Sequence, residues 1–95
     1  MDPIIEYYVD QHLIHVKRFI SSSNTLYLTG YHKGMLYEIS KSKFYIFTVD
    51  NKYVLVTISP IDLVEVLDKM LKNQPYQVDD FTRLIASMSN NTTFN

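Results

Sequence analysis

The residues best suited to chemistry in this 95-residue chain are three histidines, His12, His15 and His32. His12 and His15 lie three apart, a spacing that sets two imidazoles on adjacent turns of a helix. With Asp10 or His32 they make the one combination of zinc-ligand character. His12 nevertheless falls on the apolar arc of a predicted helix and His15 at its edge, so one part-buried and one surface histidine account for both. There is no cysteine, hence no thiolate nucleophile, sulfur-ligated metal or disulfide framework. The serines cluster in a loop or cap a helix, and no G-x-S-x-G elbow is present. Asp79 and Asp80 read as helix-start charges before they read as an acid/base couple. Two glycines are too few for a phosphate-cradling loop. The reading is of a non-enzyme with no catalytic residue, no metal and no cofactor.

Binding chemistry is better represented. Eight tyrosines supply large rigid surfaces with a polar tip, the residue type enriched in protein interfaces. Tyr31 with Lys33, Lys41, Lys43 and Lys52 suggests a second use, in which aromatic platforms flanked by lysines stack single-stranded bases. Formal net charge is −1 with 20% charged residues, so the whole chain carries neither a basic nucleic-acid footprint nor a polybasic membrane patch. Residues 21–58 are mildly basic at +2, and the remainder is −3. A hydrophobic content of 46% fits a globular domain and is too high for a disordered one.

These residues need elements to position them. The stretch 44–71 is the clearest: F-Y-I-F-T-V and Y-V-L-V-T-I flank Asp50-Asn51 as an antiparallel hairpin. It feeds a helix capped by Ser59, with Pro60 first and an apolar stripe of Leu63, Val64, Leu67, Met70 and Leu71. With Asp50-Asn51 as a two-residue turn, Val49 faces Lys52, Phe47 faces Val54 and Tyr45 faces Val56. Both faces of that hairpin are then apolar, the mark of strands covered on two sides. Asp2 and Pro3 open a predicted helix over 3–20, with a hairpin turning at Asp10-Gln11 as its rival. Ser21 to Asn24 is a loop. Strands follow over 25–39, with a turn between Gly30 and Gly34. A last helix is expected near 78–89 with the stripe Phe81, Leu84, Ile85 and Met88, and residues 90–95 as a disordered polar tail.

The run Y-V-L-V-T-I-S-P-I-D-L-V-E-V-L-D-K-M-L-K, residues 53–72, resembles the last strand and closing helix of bacterial pleckstrin-homology-like domains. Were Y-Y-V-D-Q-H-L-I-H-V, residues 7–16, stranded, it would resemble that family's opening hairpin. The resemblance implies a small β-barrel capped by a helix and a binding role; no site residue is implied.

The resulting expectation is a single α+β domain over residues 1–89: an N-terminal helix, a four-stranded antiparallel sheet and two C-terminal helices. Its expected function is binding another protein, as a small regulatory inhibitor or adaptor of the kind phage and viral genomes encode. Single-stranded nucleic-acid binding and a pleckstrin-homology-like binding module are the alternatives. The expected interface is the sheet face bearing Phe44, Ile46, Tyr53, Leu55 and Tyr37, used for a partner or for a homodimer. No apolar run is long enough to span a bilayer, and a cytoplasmic location is expected.

Overall fold

A computed structural model describes residues 1–93, with side chains through Met88. The chain is α+β: helix α1 (Pro3–His12), strands β1 (Ile14–Ile20), β2 (Leu26–His32), β3 (Met35–Lys41), β4 (Tyr45–Val49) and β5 (Lys52–Thr57), then α2 (Pro60–Leu71) and α3 (Asp80–Thr93). The five strands form one antiparallel sheet in chain order, β1-β2-β3-β4-β5. The sheet is open, with β1 and β5 at its edges, so it is not the barrel that the pleckstrin-homology-like resemblance implied.

The N-terminal segment corrects two expectations. Asp2 caps α1 through a 2.9 Å bond from the Ile4 amide, with Pro3 in the first turn. The helix stops at His12, however, and residues 14–20 form a fifth strand in place of further helical turns or a hairpin at Asp10-Gln11. Leu13 is the hinge: its backbone is extended at φ −106°, ψ 151° while its amide still bonds Val9 O. Its side chain settles over Gly30 of β2, where an added Cβ would lie 2.9 Å from Leu13 Cβ. Gly30 is therefore a strand residue that admits the helix–strand junction. The β2–β3 turn is Lys33-Gly34, both at positive φ (51° and 77°), as a two-residue type I′ hairpin requires.

The inner face of the sheet holds the core. Leu28, Tyr37, Ile39, Tyr45, Phe47, Val49 and Leu55 pack against Ile5, Val9 and Leu13 from the α1 side and Leu63, Leu67 and Leu71 of α2. The spacing of four in each helical set gives one stripe per helix. Ser59 caps α2 by accepting from the Asp62 amide at 3.2 Å, and the Tyr8 hydroxyl donates to the Asp68 carboxylate, tying α1 to α2.

The central hairpin turns at Asp50-Asn51, with Val49 opposite Lys52 as expected. Beyond that pair the register differs. Thr48 pairs with Tyr53 but Phe47 with Leu55, so Val54 is the extra residue of a bulge. Leu55 and Thr57 consequently share the inner face with Phe47 and Tyr45, while Val56 joins Ile46 on the outer face. A one-residue slip exchanges faces for every position beyond it.

α3 differs from its predicted pattern. It takes in residues 90–93, which were expected in the tail; residues 94 and 95 lie outside the described residues. Among its residues through Met88 the buried one is Thr82, fully enclosed against β5, whereas Phe81, Leu84 and Met88 are exposed. The Thr82 amide bonds Asp79 Oδ1 at 2.7 Å. Packing against the sheet edge, and not apolar periodicity, sets the orientation of this helix.

Candidate functional site

The outer face of the sheet is covered unequally. On the β4–β5 side α3 lies against it, with the Phe44 and Phe81 rings edge to face at 5.4 Å. On the β1–β3 side the register places Phe19 beside Tyr27, Lys17 beside Thr29, and Tyr31 beside Leu36. No described helix packs over these residues. Phe19 is 51% exposed and Tyr31 41%. The Phe19 and Tyr27 rings stack at 4.9 Å with planes 9° apart. Beside them His15, Lys17, Thr29, Tyr31 and Leu36 line a hollow of about 450 Å³. The result is an aromatic shelf crossed by a polar row of Lys17, Thr29 and Glu38.

Local sequence explains its form. Residues 17–20 alternate in direction along the strand, so Lys17 and Phe19 face outward beside Thr29 and Tyr27, and Arg18 and Ile20 inward beside Leu28 and Leu26. The inward guanidinium of Arg18 is held by Glu6 at 2.7 Å and 2.9 Å and by Asp10 at 2.7 Å, both on α1. These hydrogen bonds, first to Glu6 and then to Asp10, raise its pKa further above the ordinary guanidinium value. Lys17 is left as the cation of the outer side. A bulge between Ile14 and Lys17 puts His15 at φ 54°.

The five expected interface residues are divided. Phe44, Ile46 and Tyr53 are half-buried on the outer side, Phe44 against Phe81 of α3. Leu55 and Tyr37 are in the core. Leu55 is there because of the Val54 bulge, and Tyr37 because the alternation of β3 turns it inward, so neither lines an external surface. The expected lysine cluster is likewise divided. Lys33 and Lys52 flank the turns at one end of the sheet, Lys41 and Lys43 the turn at the other, a strand length or about 20 Å away. Lys41 Nζ lies over the Tyr45 ring, 5.2 Å from its centre. Tyr31 alone of that set lies on the shelf.

The histidines do not converge either. His12 packs on Tyr8 with ring centres 4.4 Å apart, and His32 stands edge-on to Tyr37 at 6.0 Å. Asp10 is engaged with Arg18. Among the described residues no cluster of three His, Cys, Asp or Glu could hold a metal ion. Asp50, by contrast, does more than form a turn: its amide bonds Leu36 O at 2.8 Å and its carboxylate accepts from the Leu36 amide at 2.8 Å, joining the two hairpin ends.

Sequence reasoning missed Phe19, Lys17 and Tyr27 as neighbours, because it placed residues 17–20 on a helix. K-R-F-I carries no polar–apolar alternation that marks a strand, and its β-branched and aromatic residues were the one hint. The chain matches no family model, no curated protein and no solved structure. Among the described residues no helix is long and apolar enough to cross a membrane.

Proposed function

We propose that the chain is a non-catalytic protein-binding module, an adaptor or stoichiometric inhibitor, whose partner docks on the outer shelf of β1–β3. The observation that carries this reading is the unequal cover of the sheet: α3 occupies the β4–β5 side, while Phe19, Tyr27, Tyr31 and Leu36 remain accessible beside Lys17. Contiguous apolar surface rimmed by polar groups marks interaction sites, and aromatic anchors contribute most where they are desolvated by a partner. Lys17 and Glu38, on one row of that face, offer a partner one charge of each sign.

The test is capture by the full chain, immobilised, against Tyr31→Asp and Lys17→Glu variants. Ile61→Asp, on the solvent side of α2, serves as control. The reading requires a partner retained by the wild type and the control and lost by both shelf variants, with unchanged circular dichroism. Equal capture by all four chains sinks it. A labelled oligothymidylate that binds at low salt, and is lost with Lys17→Glu, assigns the shelf to single-stranded nucleic acid instead.

A further inference from the structure

The two edges of the sheet are treated differently. The β5 edge is occupied at Val56: Thr82 Oγ accepts from the Val56 amide at 2.8 Å and reaches the Val56 carbonyl at 3.4 Å, completing that position as a neighbouring strand would. The β1 edge has no described strand beside it. An open edge with apolar side chains is a template for strand addition, and β1 exposes Ile20 at 64% and Phe19 at 51%.

Which groups of β1 are free follows from the ladder. Ser21 N–H bonds Thr25 O at 2.9 Å, and the bonded pairs of an antiparallel ladder alternate. Phe19 and Lys17 therefore bond inward to β2, and the N–H and C=O of Arg18 and Ile20 point outward. We propose that these groups pair with the same groups of a second copy, antiparallel and centred on Phe19, fusing two five-stranded sheets into one.

The choice of a second copy rests on how well β1 matches itself. Centred on Phe19, Arg18 lies opposite the partner's Ile20, and Ile20 opposite the partner's Arg18. Four main-chain hydrogen bonds form, and no like charges face each other. Centred on Lys17 or on Arg18, two cations of the same kind are opposed, which is destabilising across a strand pair. Centred on Ile20, the outward groups of Arg18 meet the Ser21–Thr25 loop of the partner and find no strand. On the outer side, Phe19 meets the partner's Phe19, extending the Phe19–Tyr27 stack to four rings. On the inner side a groove of about 460 Å³, lined in part by Arg18, Ile20, Leu26 and Leu28, opens beside the position of the partner's Ile20. Arg18 is already compensated by Glu6 and Asp10, so an apolar neighbour there strands no charge. The shelf of each copy would then continue into the next as a two-fold surface.

Because the chain lacks cysteine, one introduced thiol reports one contact. Phe19→Cys in the full chain should give a disulfide-linked dimer on mild oxidation, since opposed residues of such a pair have Cα atoms about 4.5 Å apart, within disulfide reach. Lys17→Cys should not, its two thiol-bearing positions being offset by about 13 Å along the strands. Ile20→Pro removes an outward amide and leaves the β1–β2 ladder intact. Two of the four bonds are lost, so the dimer dissociation constant measured by sedimentation should rise by about thirty-fold. Cross-linking that is equal at positions 17 and 19, or a wild-type monomer that gives no Phe19→Cys cross-link, overturns the pairing. A monomer that still captures a partner through Tyr31 removes the dimer and leaves the proposed function standing.

Discussion

Thr82 and Val56 are joined by both polar groups of one peptide position: a single hydroxyl, fully buried, receives the Val56 amide at 2.8 Å and approaches its carbonyl at 3.4 Å. A helix side chain thereby occupies one position of a sheet edge. Thr82→Val keeps the shape and removes the hydroxyl, leaving a buried donor unmade, so stability should fall by about 1–3 kcal/mol. Thr82→Ser should recover most of it. Urea unfolding measures both, and faster hydrogen exchange at the Val56 amide should accompany the loss.

Gly30 is fixed by the Leu13 side chain above it. Gly30→Ala sets a methyl 2.9 Å from Leu13 Cβ and 3.1 Å from its Cδ1, and the extended Leu13 backbone gives little room to withdraw. Overpacking of this kind costs about 1–3 kcal/mol. For a domain of this size the melting temperature should drop by several degrees for each kcal/mol.

Two buried tyrosines make stability fall in alkali. Burial raises the Tyr37 phenol above its usual range, with smaller contributions from Asp50 and Tyr76. Burial and then Asp2 do the same for Tyr45. Above the ordinary tyrosine pKa of about 10 the unfolded chain loses protons that the folded one keeps, so stability is full below that pH and declines as pH rises toward the folded values. Urea midpoints between pH 9 and the onset of alkaline unfolding should show this decline, and Tyr37→Phe should flatten it. At neutral pH the same change should cost little or stabilise, because the Tyr37 hydroxyl has no hydrogen-bond partner among the described residues.

The Arg18 bridge to Glu6 and Asp10 is short but exposed, with side-chain exposures of 43%, 28% and 56% respectively. Solvent screening limits such a pair, so Arg18→Ala should lower stability by under about 1 kcal/mol, and by less in high salt.

How much of this was legible depends on whether the signal was local. The Asp2 and Ser59 caps and the Asp50-Asn51 turn rest on a few adjacent residues, and each was readable. The end of α1 was not, because the apolar positions from Ile5 to Ile20 suit a helix throughout. What breaks them at Leu13 is the space above Gly30, seventeen positions later in the chain. The Val54 bulge left no trace either: in Y-V-L-V-T-I both faces are apolar, so the two-residue pattern carries no phase. That loss of phase placed Leu55 among surface candidates. The shelf was half legible. Tyr31 was singled out, but its neighbours Phe19 and Lys17 became visible only once residues 14–20 were a strand.

The chain-order sheet also bears on how the molecule reaches its fold. Every strand pairs with the next one along the chain, so each hairpin closes over a short loop, and two of them close over two-residue turns. Local closures of this kind are fast. The contact between α1 and α2 has no such shortcut, since the Tyr8–Asp68 bond spans sixty residues. That contact closes only once the strands between have brought α2 beside α1. α1 is thus held at two ranges, locally through Arg18 and through Leu13 over Gly30, and to α2 across sixty residues.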